Sequence, residues 1–194
     1  MIPAGLVLAA GAGTRLGRPK ALVTVHGETL VERAVRTLTA AGCGPVLTVL
    51  GAQAEQVLAS VYLPFVAVNP GWERGMGTSL LCGLRALPGD AEAVVVALAD
   101  QPLVGSEAVV RLIAAWREGA VAAVATYAGK PRNPVLLARS LWTDIEGSLG
   151  DDRGAGPWLR EHPDVVTLVP CDGTGSPYDV DTPDDLQVVQ RSRS

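Results

Sequence analysis

Glycines and cations crowd one short stretch of this chain. Between Leu8 and Leu22, Gly11, Gly13 and Gly17 alternate with Arg15, Arg18 and Lys20. Glycines let a backbone turn tightly and bring its N–H groups close to an anion, and the cations add positive charge at the same place. Leu16 and Leu22 can pin such a loop to the body of the protein. The loop follows an apolar run, Ile2–Ala10, that Gly11 stops. A Gly-rich cationic loop at the end of a first parallel strand is where phosphates bind. Two common phosphate motifs do not fit. A dinucleotide fingerprint spaces its glycines G-x-G-x-x-G, whereas Gly17 comes one residue late. A P-loop requires Lys and then Ser or Thr directly after its last glycine, whereas Arg18-Pro19-Lys20-Ala21 follows Gly17. A plain surface turn would account for the glycines but not for the cations beside them.

The other candidates are mostly carboxylates. Asp100 follows Ala93–Ala99, the most strand-like run in the chain, with Val94 to Val96 at its heart. A carboxylate at the carboxyl end of a central strand sits where open α/β sheets place ligands. Asp179 and Asp181 flank Val180 shortly before a helix start. Alternate residues of an extended segment share a side, so either acid can face a ligand. Acids beside a helix N-terminus are also expected for stability alone. Gly75-Met76-Gly77-Thr78-Ser79 leads into another helix, where N–H groups and hydroxyls can hold ribose or phosphate. Trp72 just upstream reads as a packing residue. The three cysteines, Cys43, Cys82 and Cys171, are widely spaced and form no zinc pattern with the two histidines. They read as inert packing residues. Any chemistry therefore rests on backbone, carboxylates, Arg and Lys.

These groups need a scaffold, and short apolar runs alternate with amphipathic segments to supply one. Beyond the first strand, Thr29 and Glu32 make a capping box for a helix over Leu30–Ala41, stopped by Gly42. Strands follow at Val46–Leu50 and Phe65–Asn69, with a short helix near Ala54–Ser60 between them. Thr78 or Ser79 caps a helix through Leu87, halted by Pro88-Gly89. After Ala93–Ala99 come a helix from Ser106 through Trp116 and a strand at Val121–Thr126. The last third is more irregular, with strands at Pro134–Ala138 and Val165–Pro170 and a terminal helix opened by Thr182-Pro183-Asp184-Asp185. Such alternation with short connections predicts one α/β domain, residues 1–194, built on a mostly parallel sheet covered on both faces.

The composition agrees with a folded globular chain. Hydrophobic residues are 48% and charged residues 19% of the 194, which excludes a disordered chain. Sixteen basic against twenty acidic residues give a net charge of −4, the wrong sign for a duplex nucleic-acid binder. No apolar run approaches the roughly 20 residues of a bilayer span, and the N-terminal Met-Ile-Pro-Ala-Gly lacks the basic region of a signal peptide. A cytoplasmic location is expected.

The pattern Leu8-Ala-Ala-Gly-x-Gly-x-Arg-Leu-Gly-x-Pro-Lys20 resembles the signature loop of nucleotidyltransferases that activate sugar phosphates and cofactor precursors. Within that superfamily the chain is similar to the molybdenum cofactor cytidylyltransferases. Further segments agree in order: Asn69 to Leu80, Ala99-Asp-Gln-Pro102, Asn133-Pro-Val-Leu136, Gly150 to Ala155 and Asp179-Val-Asp-Thr-Pro183. The resemblance implies a Rossmann-like three-layer sandwich of the GT-A-like type. It implies transfer of CMP from CTP to the phosphate of molybdopterin, with Mg2+ as cofactor and pyrophosphate as by-product. It also implies hand-over of the product to a molybdoenzyme or its chaperone. Arg15 and Lys20 would grip the triphosphate and Asp100 would be catalytic as a metal ligand. Leu8, Ala9, Ala10, Gly11, Gly13, Thr14, Gly75, Met76 and Ser79 would surround the nucleotide. Asp181 would be the second metal ligand, with Asp179 its alternative. Gln101, Pro102, Asn133 and Pro134 would face the acceptor. Ala10 favours CTP, since the guanylyltransferase branch usually carries Gly there. GTP, or a sugar or alditol phosphate acceptor, is the neighbouring possibility, and a nucleotide-binding chaperone the non-enzymatic one. The chain departs from the family at Gly77, where Ser is commoner, at Asn133, where His is common, and at Gly156, where an Arg is expected. An extra acid in Asp151-Asp152 is a further departure.

Overall fold

The computed structural model describes residues 1–150 and 153–192. Its first strand, β1 (Ala4–Ala9), is buried along its whole length. Ala4, Leu6 and Leu8 pack into one apolar layer, while Val7 and Ala9 pack into another on the opposite face. That double burial is why the segment is continuously apolar rather than alternating.

The chain then runs through a small hairpin, β2 (Thr24–Val25) and β3 (Glu28–Thr29), into α1 (Leu30–Ala40). Next come β4 (Val46–Leu50), α2 (Ala54–Ser60), β5 (Val66–Val68), α3 (Met76–Ala86), β6 (Ala93–Leu98) and α4 (Ser106–Arg117). The remainder is β7 (Ala122–Tyr127), β8 (Lys130–Ala138), α5 (Trp142–Ser148), α6 (Gly156–Glu161), β9 (Val166–Pro170) and α7 (Pro183–Arg191). The strands form a seven-stranded sheet in the order β5-β4-β1-β6-β8-β7-β9. β8 alone runs against the rest, antiparallel to both β6 and β7. The expected mostly parallel sheet is therefore present. Helices α1, α2 and α4 cover one face, and α3, α5 and α6 cover the other.

From β1 the chain moves outward through β4 to β5, then returns to the opposite side of β1 at β6. This reversal opens a crevice at the carboxyl ends of β1 and β6, the general ligand position in such sheets. Leu8 is in register with Leu98, so the loops after these two strands leave side by side. A third apolar cluster, Val23, Val25, Leu30, Val180 and Val189, lies beside the crevice, with Leu16 packed on it. It ties the Gly-rich loop to the segment that carries Asp179 and Asp181.

Some expectations need correction. Neither Thr78 nor Ser79 caps α3; the helix begins at Met76, and its cap is Gly75 at φ 114°. Thr78 lies inside the first turn and donates its hydroxyl to the Gly75 carbonyl at 2.8 Å. The strand read as Pro134–Ala138 starts earlier, at Lys130, because its first half pairs with β7 after a bulge. The hairpin β2–β3 and helices α5 and α6 were not anticipated, being too short to show a clear period. The capping box of α1 forms as read, Thr29 with Glu32; Thr182 caps α7 as read, and Asp185 completes a second box that the sequence reading did not name. Cys43 and Cys171 are buried and Cys82 is half-buried, all as free thiols. Burial pushes the Cys43 thiol up to about 12, which keeps it protonated and unreactive.

Candidate active site

After β1 the backbone turns through Gly13 (φ 63°) and Gly17 (φ 68°), which bracket one short turn, Thr14–Leu16. A Cβ on Gly13 would stand 2.2 Å from the Arg18 carbonyl and 2.8 Å from the Lys20 nitrogen. Only glycine lets the loop fold back on itself so closely. A second short turn, Lys20–Leu22, buries Ala21 and delivers Lys20 to the crevice.

Lys20 Nζ donates to Asp100 Oδ2 at 2.8 Å and to Asp181 Oδ1 at 2.5 Å. Three groups 161 residues apart in sequence at the extremes thus meet at one ammonium. Burial works against the Lys20 charge, but Asp100 and Asp181 outweigh it and hold the ammonium above the ordinary lysine range. Arg15 Nη2 lies 3.7 Å from the same Asp181 oxygen and is largely exposed. The Val180 nitrogen donates to the Asp100 carbonyl at 2.8 Å, and the Val180 side chain is fully buried. This anchor fixes both acids beside it, and it separates them. Asp181 turns to Lys20, whereas Asp179 accepts from Gln101 Nε2 at 2.9 Å. Burial, opposed by the Gln101 bond and aided by the charges of Asp100 and Asp181, raises the Asp179 carboxyl above its usual range.

A cleft of about 280 Å³ lies against this cluster. Leu8, Ala9, Ala10, Gly11, Lys20 and Asp100 line it, joined by Gly75, Met76 and Ser79 from the start of α3. Gly13, Thr14 and Arg15 do not line this cleft. Asn69, not singled out from sequence, organises the approach to α3. Its buried amide donates to Thr78 and Ser79 at 2.8 and 3.0 Å, and its carbonyl accepts from the Gly71 nitrogen. Trp72 packs as expected, but it also lines the cleft. A Cβ on Gly51 would meet Trp72 at 2.5 Å and Ala10 at 2.8 Å. Gly51 is thus the second residue that sequence reading missed; its position directly after β4 was the available signal.

Residues 5–166 match the MobA-like NTP transferase domain. The chain belongs to this family of nucleotidyltransferases. It is 39% identical over 187 residues to nicotine blue oxidoreductase of Paenarthrobacter nicotinovorans, covering 92% of this chain and 91% of that one. It is 26% identical to purine catabolism protein PucB of Bacillus subtilis, covering 98% and 97%. Among solved structures, Rv0371c of Mycobacterium tuberculosis H37Rv superposes with a TM-score of 0.87 at 28% identity, covering 99% of each chain. A manganese complex of that protein superposes at 0.82 with 27% identity, covering 100% of each.

The residues of this MobA-like transferase fit a divalent cation. Asp100 Oδ1 is buried without a hydrogen-bond partner, and two carboxylates converge on one point at Lys20 Nζ. Mg2+ takes one or two carboxylates and completes its shell with phosphates and water.

A larger cleft of about 1200 Å³ runs beyond the first, over the same face of the sheet. Gln101 and Asn133 line it, as does Asp179. Pro102 and Pro134 do not; they line a small cavity of about 20 Å³ against residues of α1 and α4. Arg132, Arg153 and Arg160 line the large cleft and were missed from sequence. A Cβ on Gly156 would stand 3.4 Å from the Arg160 guanidinium, so a cation lies next to the position where the family expects one. At Gly77 a Cβ would stand 2.0 Å from the Gly150 carbonyl and 2.8 Å from that of Arg153. The family's commoner Ser has no room there. Asp151 and Asp152 lie outside the described residues.

Among the described residues no helix is long and apolar enough to cross a membrane.

Proposed function

We propose that this chain transfers CMP from CTP to the phosphate of molybdopterin, releasing pyrophosphate. The observation that carries this reading is the meeting of Lys20, Asp100 and Asp181 beside a cleft framed by the Gly-rich loop and the start of α3. Lys20 and Arg15 neutralise the triphosphate, and loop N–H groups with the N-terminus of α3 add fixed positive potential. Ala10 lines the cleft, and the choice of cytosine rests on its methyl group. Asp100 and Asp181 hold Mg2+, which when bound supplies charge neutralisation on the phosphates. An oxygen of the acceptor phosphate attacks the α-phosphorus of CTP, the bond from that phosphorus to the β-phosphate bridge breaks, and pyrophosphate departs with the electron pair. A phosphate dianion is nucleophilic near neutral pH, so no His, Ser or Cys base is required. Catalysis comes from positioning and electrostatics. The apolar floor and the arginines of the larger cleft suit an acceptor with a sizeable body and anionic groups.

One relative favours a second reading. The name nicotine blue oxidoreductase points to redox chemistry on this scaffold, against which stands the glycine spacing of the loop, which does not fit a dinucleotide fingerprint. Thermal shift with CTP, GTP, UTP and NAD, each with and without Mg2+, separates the two. The transferase reading expects the largest rise with CTP and Mg2+; a larger rise with NAD would overturn it.

A further inference from the structure

Lys20 stands where an acidic pair and the nucleotide cleft meet. Its ammonium is the only described cation bonded to both Asp100 and Asp181, at 2.8 and 2.5 Å. The same side chain lines the nucleotide cleft. The ammonium thus stands between the two carboxylates that would hold a divalent cation, on Asp100 Oδ2 and Asp181 Oδ1. A small hydrated cation and an ammonium repel each other at such range. Arg15 cannot take its place, since it touches only Asp181, at 3.7 Å, from an exposed position.

We propose that Lys20 is a tethered stand-in for the metal: with no nucleotide bound it fills the carboxylate pair and bars divalent cations, and an arriving triphosphate draws it off and opens the pair. The inference rests on the reading of Asp100 and Asp181 as the cation site. Its consequence is coupled loading. Metal binds weakly alone and tightly with nucleotide, and by linkage nucleotide binds more tightly with metal. Such an arrangement keeps the carboxylates from being neutralised before there is a triphosphate to act on.

The test measures Mn2+ affinity, by the electron paramagnetic resonance of the free ion, with and without CTP. It compares the parent with Lys20→Met, which keeps the apolar stem, Lys20→Arg, which keeps the charge, and Arg15→Ala. Without nucleotide, Lys20→Met is expected to bind Mn2+ more tightly than the parent by about 5–150-fold, the usual range of coupling between sites. Lys20→Arg and Arg15→Ala should stay within about threefold of the parent by the same measure. The tightening that CTP brings should shrink in Lys20→Met by the factor gained without it. Equal Mn2+ affinity in Lys20→Met and parent would overturn the stand-in role while leaving the nucleotidyltransferase reading intact. If parent with CTP binds Mn2+ no more tightly than Asp100→Asn does, the carboxylate pair is not a cation site and both ideas fall. Should Lys20→Met not fold, the parent alone decides. Adding CTP without any divalent ion must shift the Lys20 ammonium resonance in nitrogen-edited NMR, and an unmoved resonance would overturn the proposal.

Discussion

Serine at position 77 is commoner in the family, yet this chain has no space for it. The added Cβ would lie 2.0 Å from the Gly150 carbonyl oxygen. Ordinary carbon–oxygen contacts begin near about 3.3 Å, so the carbonyl must retreat by about 1.3 Å. Two backbone oxygens, not flexible side-chain ends, stand in the way. Overpacking of this kind costs about 1–3 kcal/mol. Serine is the better helix former by about 0.5 kcal/mol, which leaves a net loss of about 0.5–2.5 kcal/mol. For a chain of this size that lowers the melting temperature by roughly 1–10 °C. Arg153, Gly154 and Ala155, which adjoin the displaced segment, line the larger cleft, so KM for the acceptor should rise as well. Gly147→Ser is the control, because nothing lies within 4 Å of its Cβ position; it should melt no lower than the parent. Thermal unfolding followed by circular dichroism reads both. Gly77→Ser melting at or above the parent would refute the close approach of residue 150 to α3.

Asp100→Asn should keep the fold and lower turnover at least a hundredfold, about 3 kcal/mol in the barrier; near-parent turnover would remove Asp100 from the chemistry. Arg160→Glu should raise KM for the acceptor while the CTP-induced thermal shift stays unchanged, and an unaltered KM would show that the larger cleft does not use that cation. Hydrogen bonds from Thr182, then from Tyr178, hold the Asp185 carboxyl down at about 2 against an ordinary 3.8. A depressed folded value stabilises fully above the unfolded one and is lost as pH falls through the folded one. The stability gap between parent and Asp185→Ala should therefore be widest above about pH 4 and close toward about pH 2; a constant gap in urea titrations would contradict this.

The Gly-rich loop and the strand-end position of Asp100 were legible because their demands are local. Gly13 is fixed by contacts within its own loop, and Asp100 by the end of its own strand. The long helices and the buried strands announced themselves through caps and apolar runs. What could not be read depends on distant partners. Nothing in the spacing of Asp179 and Asp181 distinguishes them; the Val180 anchor on Asp100 and the single ammonium of Lys20 do. The small cavity lined by Pro102 and Pro134 also takes Arg33, Ala34 and Thr37 of α1, far away in sequence. Arg160 serves the large cleft only because α6 turns it past a glycine one helical turn earlier. Gly77 looked like a lost hydroxyl, and in three dimensions it is a seat for the carbonyls of Gly150 and Arg153.

The most direct test of the transferase reading is pyrophosphate release by the purified protein from CTP and Mg2+ with molybdopterin as acceptor, run beside GTP and beside an assay of nicotinamide oxidation. The account predicts pyrophosphate in equal amount to a CMP-linked product, faster with CTP than with GTP and absent without acceptor. No pyrophosphate from either nucleotide would contradict it.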